Sequence, residues 1–362
     1  MPRFGGSPRI LVINLCHIGD AVMGTAAMRL LRKMSPNAHI TLKVRAACAS
    51  LMRSPELADE VVGEKQYENR LLGKSLRSLS RIWSALRYRF TRYDICFMFD
   101  VPKGNARRIK YLSNIPVRVC PSIMNEGNPC QAAVHATHVI PLEPHTHFVD
   151  YFQDIIQGFF LQLPDKYVAF PRETPLIVGP VGRAALPTAS GRKCVAFCFE
   201  GSPQNFNSWP EAYFVDLLER AKERGWYTYA AVPKGGTRYT EMLAARGVKV
   251  DTFECAEIMD CCALLREADL LISIDSAQTH LAAAMDIPVI SLGGPTSRTT
   301  RPYSPSGVML AVSPGCFSCP FVDECPTNKA NGRRKKPGYI APCMRAITPD
   351  MVLARAREIL KD

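Results

Sequence analysis

The sequence predicts an α/β protein made of two doubly wound domains, each with a largely parallel sheet covered by helices. Its 362 residues exceed what one hydrophobic core usually serves. Short apolar runs alternate with longer helical patterns, which is typical of parallel βαβ units. A stretch rich in proline and glycine at 171–193 interrupts this alternation, which then starts again. Two similar domains that face each other across a cleft are the expected architecture.

The first half begins with one complete βαβ unit. A strand at 10–14 leads through a loop into a helix at 21–34, and a second strand follows at 39–44. The range 121–144 is rich in loops and predicts no regular element. The other elements expected in this half are a helix within 71–90, strands at 95–99 and 117–120, and helices at 105–112 and 148–161.

The second half repeats the alternation and ends in a different kind of segment. Strands are expected at 194–199, 227–232, 270–274 and 289–292, with helices at 211–224, 238–246 and 279–285. Thr348 and Pro349 are sound N-terminal signals for a final helix that ends at Leu360. The predicted domains are therefore 1–172, a linker at 173–192, a second domain at 193–312, and a cysteine-rich segment with a terminal helix at 313–362.

The net charge of +12 is concentrated in one region, because 65–118 contains thirteen Lys or Arg against three Asp or Glu. Apolar residues recur there at helical spacing, at Leu72, Leu76, Leu79, Trp83 and Leu86, with Lys74, Arg77, Arg81 and Arg87 elsewhere around the helix. Two interpretations of this basic amphipathic helix stay open. It contacts anionic lipid or an acidic glycan, or it packs on its own domain with a solvated basic face.

The sequence also bears on location and partners. No apolar run approaches the ~20 residues of a membrane span, and residues 1–10 lack the apolar core of a signal peptide. We therefore expect a cytoplasmic protein, with peripheral contact at the inner face of the cytoplasmic membrane as one option. The basic charge lacks interleaved aromatic residues on a recognisable nucleic-acid-binding pattern, so no nucleic acid is expected as a partner.

The strand at 270–274 ends abruptly in polar residues that open a helix. In open α/β sheets ligands bind beyond the carboxyl ends of strands, and a helix N-terminus there favours an anion. The candidates for phosphate binding are Asp275, Ser276, Thr279 and His280, with a glycine turn at Gly294 and Thr296 on the same sheet edge. A nucleotide diphosphate is the expected ligand, and the alternative is a capped helix with a satisfied histidine.

A second candidate site lies where the loop after the first strand becomes a helix. Asp20 follows Gly19 there, and the helix terminus keeps a carboxylate ionised and ready to accept a proton. Asp is also a favoured N-cap residue, so the alternative is a helix cap. His17, three residues earlier, either assists the carboxylate or only fills the loop.

Four cysteines near the C-terminus have the spacing of a metal site. Cys316 and Cys319 form a Cys-x2-Cys hook, and Cys325 and Cys343 supply two further thiols. Four thiolates match a tetrahedral structural site, with zinc as the default metal and iron as the second option. The alternative is four free thiols in a loop.

Characteristic segments follow one another along nearly the whole chain. They are RILVINLCHIGDAVMGTAAMRLLRKMSP, HFVDYFQDII, SWPEAYFVDLL, DSAQTHLAAA, GGPT and CMRAITPDMV. The most specific are Gly19 with Asp20, and 275–284, in this order and separation. On these segments the chain resembles glycosyltransferase family 9, the lipopolysaccharide heptosyltransferases, whose GT-B fold has two facing Rossmann-like domains.

The resemblance implies an inverting, metal-independent transfer of a sugar from a nucleotide diphosphate, typically ADP-heptose, to a bacterial surface glycan. It implies that Asp20 is the general base that deprotonates the acceptor hydroxyl. It also implies that the helix from Ser276, with Thr279 and His280, stabilises the charge on the leaving diphosphate. It implies too that no cofactor takes part in catalysis. A site of four thiolates offers no open coordination position, so the metal at the cysteines is expected to be structural.

The sequence departs from the family pattern next to a Trp-Pro pair, where Asn207 and Ser208 stand in place of the usual basic residue. Ala277 replaces a glycine, although its N–H remains. Positive charge at the donor phosphates is then left to Lys234, Arg298 or Arg301. Two rival functions stay open: a protein heptosyltransferase of the autotransporter type, and a catalytically weak relative that binds a nucleotide sugar.

Overall fold

A computed structural model gives the structure of the chain. It describes residues 7–64, 72–124, 127–144, 146–163, 170–177, 181–182, 184, 186, 191–200, 208–235, 238–294, 297–312 and 340–362, without the side chains of 72–78, 100, 238 and 297–298. The chain divides into two compact units, Met1–Gly179 and Pro180–Asp362. The division falls inside the range 173–192 that the sequence predicts as a linker.

The N-terminal unit contains a parallel six-stranded sheet. Its strands are β1 (Arg9–Asn14), β2 (His39–Arg45), β3 (Glu60–Glu64), β4 (Ile95–Asp100), β5 (Val117–Pro121) and β6 (His138–Ile140), and its helices are α1 (Ile18–Met34), α2 (Leu72–Thr91), α3 (Lys103–Leu112) and α4 (Phe148–Leu161). The strands lie in the order β3-β2-β1-β4-β5-β6, and every neighbouring pair is parallel.

Successive residues of the central strand β4 pack on opposite faces of this sheet. Phe97 meets Phe159 of α4 edge to face at 5.4 Å, and Phe99 stacks on Phe152 of the same helix at 5.2 Å. Cys96 and Met98 belong instead to a core shared with residues of α2 and α3. Both faces of the sheet are therefore covered by helices, which explains why the sequences of the central strands are continuous apolar runs.

The C-terminal unit contains a second parallel sheet of six strands. These are β7 (Cys194–Cys198), β8 (Tyr227–Pro233), β9 (Asp251–Cys255), β10 (Leu270–Ile274), β11 (Val289–Gly293) and β12 (Gly307–Ala311), and the helices are α5 (Glu211–Glu223), α6 (Arg238–Ala245), α7 (Ile258–Leu265), α8 (Ala277–Ala284), α9 (Ser297–Thr300), α10 (Pro342–Ala346) and α11 (Pro349–Leu360). The order is β12-β11-β10-β7-β8-β9. Both sheets thus have the same topology, and their strand order reverses between β1 and β4 and between β7 and β10.

The end of the chain belongs to the core of the C-terminal unit. Met344, Ile347 and Val352 are fully buried in the same apolar cluster as Trp209. The indole N–H of Trp209 donates a hydrogen bond to the carbonyl of Ile347 at 2.9 Å. The described part of the predicted segment 313–362 is therefore not a separate body, because its apolar residues complete the core beside α5.

Some elements differ from those expected from the sequence. Helix α1 begins at Ile18, three residues earlier than predicted, and the range 121–144 contains strand β6. Strands β3, β9 and β12 and helix α7 were also not expected. Within the described parts of the chain, no helix is long and apolar enough to cross a membrane.

Candidate functional site

The carboxyl end of β10 carries most residues that the sequence predicts to bind phosphate. Every residue of this strand is buried, and Asp275 follows its last residue directly. Ser276 is the N-cap of α8, with an extended backbone and no side-chain cap hydrogen bond. An eight-residue helix therefore begins at the edge where the strand order reverses, which is where such sheets bind ligands and where an anion is favoured.

Asp275 and His280 form a buried polar pair at this edge. Both side chains are 5% exposed, and His280 Nε2 lies 3.6 Å from Asp275 Oδ1. Thr300 Oγ1 donates a hydrogen bond to Asp275 Oδ2 at 2.9 Å. A carboxylate held in this way fixes the orientation of the neighbouring imidazole. The sequence predicts the two members of the pair but not Thr300, which comes from α9, beyond the next strand.

A network of small side chains holds the turn after β10. Cys198 Sγ donates to Ser276 Oγ at 3.3 Å, and Ser276 Oγ lies 2.9 Å from Ser273 Oγ. Burial raises the pKa of Cys198, so its thiol is the neutral donor. Thr279 is fully buried, and its hydroxyl donates to Ser273 Oγ or the Ile274 carbonyl, each at 3.1 Å. The hydroxyls of Ser276 and Thr279 are thus hydrogen bonded within the protein, and the turn offers its backbone to a ligand.

The remaining candidates of the C-terminal unit lie at different places. Gly294 is buried directly after β11, beside the start of α8, because β10 and β11 are parallel neighbours. Lys234 and Arg301 are exposed, after β8 and after α9. Ser208 is half-buried just before Trp209. Thr296 and Asn207 lie outside the described residues, as does the side chain of Arg298.

In the N-terminal unit, Asp20 is the third residue of α1. His17 is the N-cap of this helix, and its side chain makes no cap hydrogen bond. The alternative interpretation of Asp20 as the N-cap is therefore wrong, because the helix has already begun when the chain reaches it. Gly19 and Asp20 are half-buried and His17 is exposed. A carboxylate in the first turn of a helix is stabilised by the helix N-terminus.

Arg45, at the carboxyl end of β2, is a neighbour of this site that the local sequence pattern does not predict. Its Nε donates to the Leu15 carbonyl at 2.6 Å, and its guanidinium lies 3.5 Å from His17 Nδ1. Burial raises the pKa of Cys48 to about 11, and the charges of Arg45 and Asp20 act on it in opposite directions. The parallel pairing of β1 with β2 is the signal that could have located Arg45, since their carboxyl ends share one edge.

The predicted metal site falls largely outside the described residues. Cys316, Cys319 and Cys325 belong to the undescribed part, and Cys343 is half-buried in the first turn of α10. Among the residues that are described, no group of three or more His, Cys, Asp or Glu could hold a metal ion. The four-thiolate site therefore stays a prediction from spacing and from the preference of zinc and iron for thiolate ligands.

Two doubly wound sheets of the same topology in one chain define a protein of the GT-B class. Its C-terminal sheet has a helix N-terminus that suits an anion, with a buried polar pair beside it. The chain belongs to glycosyltransferase family 9 (heptosyltransferase), because the family model matches residues 147–330, just over half of its length.

Two curated relatives are lipopolysaccharide heptosyltransferases. Lipopolysaccharide heptosyltransferase 2 of Salmonella typhimurium is 24% identical over 313 residues, covering 81% of this chain and 85% of that protein. Lipopolysaccharide heptosyltransferase 1 of Pseudomonas aeruginosa is 35% identical over 115 residues, covering 31% of this chain and 32% of that protein. The chain therefore matches about a third of the length of this second relative.

Solved structures share the fold over nearly the whole chain. The ADP-heptose lipopolysaccharide heptosyltransferase II of E. coli has a TM-score of 0.73 at 18% identity, with 98% of both chains covered. The iron-containing dodecameric glycosyltransferase TibC of enterotoxigenic E. coli has a TM-score of 0.57 at 12% identity, with 98% of this chain and 77% of that one covered. The predicted α/β fold of GT-B type is confirmed.

Proposed function

We propose that the protein is an inverting heptosyltransferase that transfers heptose from ADP-heptose to a bacterial surface glycan such as the lipopolysaccharide core. Membership of family 9 and two relatives that are named lipopolysaccharide heptosyltransferases support the acceptor. A structural neighbour that is named for ADP-heptose supports the donor. In this proposal the enzyme acts on the cytoplasmic side of the inner membrane, where it contacts a glycolipid acceptor peripherally.

The observation that carries the proposal is the position of Asp20. Its carboxylate is half-buried in the first turn of α1, directly beyond the carboxyl end of the central strand β1. This combines a negative charge that the helix stabilises with an edge of the sheet at which ligands bind. Gly19 allows an acceptor to approach the carboxylate closely, and His17 contributes a second polar group at the N-cap of the same helix.

The chemistry assigned to Asp20 is general-base catalysis. The acceptor hydroxyl gives its proton to a carboxylate oxygen while the hydroxyl oxygen forms a bond to the anomeric carbon of heptose. The bond from that carbon to the diphosphate oxygen breaks, and ADP leaves with the electron pair. Attack from the face opposite to the leaving group inverts the anomeric centre, and no cofactor takes part.

The donor diphosphate is assigned to the N-terminus of α8. Backbone N–H groups from Ala277 onwards and the imidazole of His280, which the Asp275 carboxylate orients, stabilise the charge that develops on the leaving group. Ser276 and Thr279 act through the turn that their hydroxyls hold. Further residues assigned to the donor are the glycine turn at Gly294 and Thr296 and the cations Lys234 and Arg298, which replace the charge missing at Asn207 and Ser208.

Replacing Asp20 by Asn tests this proposal, because it removes the base and keeps the size of the side chain. We expect kcat for ADP release with a lipopolysaccharide-core acceptor to fall by about 10²–10⁴-fold, the usual contribution of a general base. The rise in melting temperature on adding ADP should stay as in the unchanged protein. Asp154→Asn, at a partly exposed carboxylate of α4, is the control and should keep its kcat. Unchanged turnover in Asp20→Asn would contradict the assignment.

The four cysteines favour a second candidate, transfer of heptose to protein. TibC is named an iron-containing heptosyltransferase, and four thiolates are a ligand set that iron accepts. An acceptor panel separates the two functions, since only a protein heptosyltransferase should label a polypeptide and leave lipooligosaccharide unlabelled. ADP binding without transfer to any acceptor would favour the third possibility, a weak relative that lacks the charge at Asn207 and Ser208.

A further inference from the structure

The outward side of α2 carries large apolar side chains. Leu79 is 58% exposed, Trp83 is 72% exposed and Phe90 is 80% exposed. Separations of four and seven residues place these three on one side of a helix. The opposite side of the helix contributes buried Ala85 and Tyr88 to the N-terminal unit. We call the exposed Leu79, Trp83 and Phe90 the outer face of α2, and this face takes no part in the core.

Basic residues surround the outer face. Arg87 and Arg89 are exposed on α2, and Lys103 and Arg107 are exposed on α3, which packs beside it. Neither helix contains a single Asp or Glu. The positive charge around the outer face is therefore not balanced by acidic residues of the same two helices.

The basic and aromatic character continues along α3. Tyr111 is 63% exposed, and Lys110 Nζ lies 5.3 Å from the centre of its ring. Burial lowers the pKa of the neighbouring His135, and the charges of Lys110, Lys103 and Arg107 lower it further. These three cations therefore act together on one small region next to α3.

The combination of exposed apolar and basic side chains on α2 and α3 identifies the kind of partner. Exposed Trp, Phe and Leu together with Arg and Lys bind amphipathic helices to the headgroup region of anionic bilayers. A second copy of the chain is a poor occupant, because two such faces would bring like charges together. A soluble acidic glycan would be attracted by the cations and could stack a sugar ring on Trp83, but it would cover less of the apolar surface of the outer face than a bilayer does.

We propose that the outer face of α2, with the basic residues around it on α2 and α3, docks this protein on an anionic membrane surface. The inference deepens the proposed function and rests on it, because transfer to a glycolipid acceptor is what would require the enzyme to bind a membrane. It names the surface through which a glycolipid acceptor would be approached. The apolar side chains enter the headgroup region while the guanidinium and ammonium groups contact lipid phosphates.

Intrinsic fluorescence gives a direct test, because Trp83 is the exposed one of three tryptophans and both Trp209 and Trp226 are buried. Vesicles of phosphatidylcholine with about one third phosphatidylglycerol should shift the emission of the full-length protein to shorter wavelength, since the surface is anionic. Pure phosphatidylcholine should not. Trp83→Phe should lose the shift and still float with anionic vesicles.

Flotation of variants measures what each group contributes. Trp83→Ser with Phe90→Ser should weaken binding to anionic vesicles on the order of tenfold or more. Leu161→Ser, at an exposed leucine that ends α4, is the matched control and should bind normally. Arg87→Gln with Arg89→Gln should weaken binding by about fivefold per charge, whereas Lys222→Gln with Lys249→Gln, at exposed lysines of the other unit, should not.

Three results would overturn the proposal. The first is the absence of flotation with anionic vesicles at low salt, and the second is equal binding of all the variants. The third is self-association in sedimentation that the Trp83 and Phe90 substitutions abolish, which would make the outer face a dimer interface.

An assay of heptose transfer to a water-soluble acceptor fragment separates this inference from the enzyme function. Heptose transfer without flotation would contradict the docking surface alone. Flotation without heptose transfer would contradict the proposed activity alone.

Discussion

Gly24 of α1 lies close to Asn14 of strand β1. A Cβ atom added at this position would lie 2.7 Å from Nδ2 of Asn14, a buried residue at the end of β1. Asp20 lies in the first turn of α1, just after the loop that connects these two elements, so the close approach helps to define the position of the proposed base. Only a residue without a side chain fits here unless Asn14 moves.

The substitution Gly24→Ala should therefore lower the free energy of unfolding by about 1–3 kcal/mol, as expected for overpacking of a buried contact. Urea unfolding measures this value. Gly104→Ala is the control, because the nearest atom to its added Cβ is the end of the Arg108 side chain at 3.7 Å. Its effect should stay within about 1 kcal/mol. Equal losses in the two variants would show that the Asn14 contact has no influence.

Residues of the candidate site differ in how far the sequence could predict them. Asp275 and His280 are five positions apart, and their contact follows from one local strand-to-helix turn. Thr300 and Arg45 reach their neighbours through other strands, so no local pattern reveals them. Thr279 was a reasonable phosphate candidate by type, but the rotation of α8 directs its hydroxyl to the strand instead.

At the scale of elements, the strands that the sequence predicts are the eight central ones. The four that it missed, β3, β6, β9 and β12, are the edge strands of the two described sheets. Central strands such as β7 and β10 are buried at every position, whereas β9 and β12 contain no fully buried residue. An edge strand has one neighbour and partial solvent contact, so charged residues interrupt the apolar runs of β3 and β9. Strand β12 is apolar throughout, and its short run after a loop does not by itself indicate a strand.

The edge strand β3 is held by an ion-pair cluster. Glu64 lies 2.9 Å from Lys43 Nζ of β2 and 2.7 Å from the Arg81 guanidinium of α2. Burial alone would raise the pKa of Glu64, but these two charges outweigh it and hold the pKa below the ordinary value of 4.5. A lowered pKa in the folded state means that this stabilisation is present above pH 4.5 and is lost as the pH falls through the folded value.

We expect Glu64→Gln to lower the free energy of unfolding by roughly 3 kcal/mol at neutral pH, because it leaves the buried Lys43 without its carboxylate. The difference in free energy of unfolding between the variant and the unchanged protein should shrink as the pH falls below 4.5. Urea unfolding midpoints across pH 3–7 would measure it. Glu211→Gln is the control, since its pair with Arg246 is exposed and should contribute under ~1 kcal/mol. A pH-independent difference would argue against the ion pairs as the cause.

Helix α2 shows what an amphipathic pattern leaves undecided. The sequence predicts the helix and its apolar spacing, and it leaves packing on its own domain and contact with a membrane as alternatives. In the structure the inward side is supplied by Ala85 and Tyr88, while Leu79 and Trp83 face outward. Periodicity defines the angles between side chains, but the neighbouring sheet determines which side is covered.

At the scale of the whole molecule, the sequence divides the chain into repeated halves and a distinct tail. The two units have one topology, and the described end of the tail completes the core of the second unit. The hydrogen bond from Trp209 to Ile347 and the packing against α5 attach the last two helices to that core.

The metal prediction is tested on the full-length protein purified without chelators. We expect about one zinc or iron per chain by elemental analysis, and a lower melting temperature after the metal is stripped, because four thiolates in a closed site contribute to folding. Cys343→Ser should reduce the metal content, and Cys255→Ser, at a partly buried thiol that ends β9, should not. The same negligible metal content in all three proteins would rule out the site.

The sequence by itself determined the α/β class, the central strands and the positions of Asp20 and Asp275 beyond strand ends. These properties are encoded locally, because burial on both faces of a sheet demands a continuous apolar run and a polar residue marks where it stops. The tertiary structure alone decided the edge strands, the place of Arg45 beside His17, and the exposure of Trp83 and Phe90. Each of these depends on which neighbour the sheet order brings alongside, and segments distant in the chain supply that neighbour.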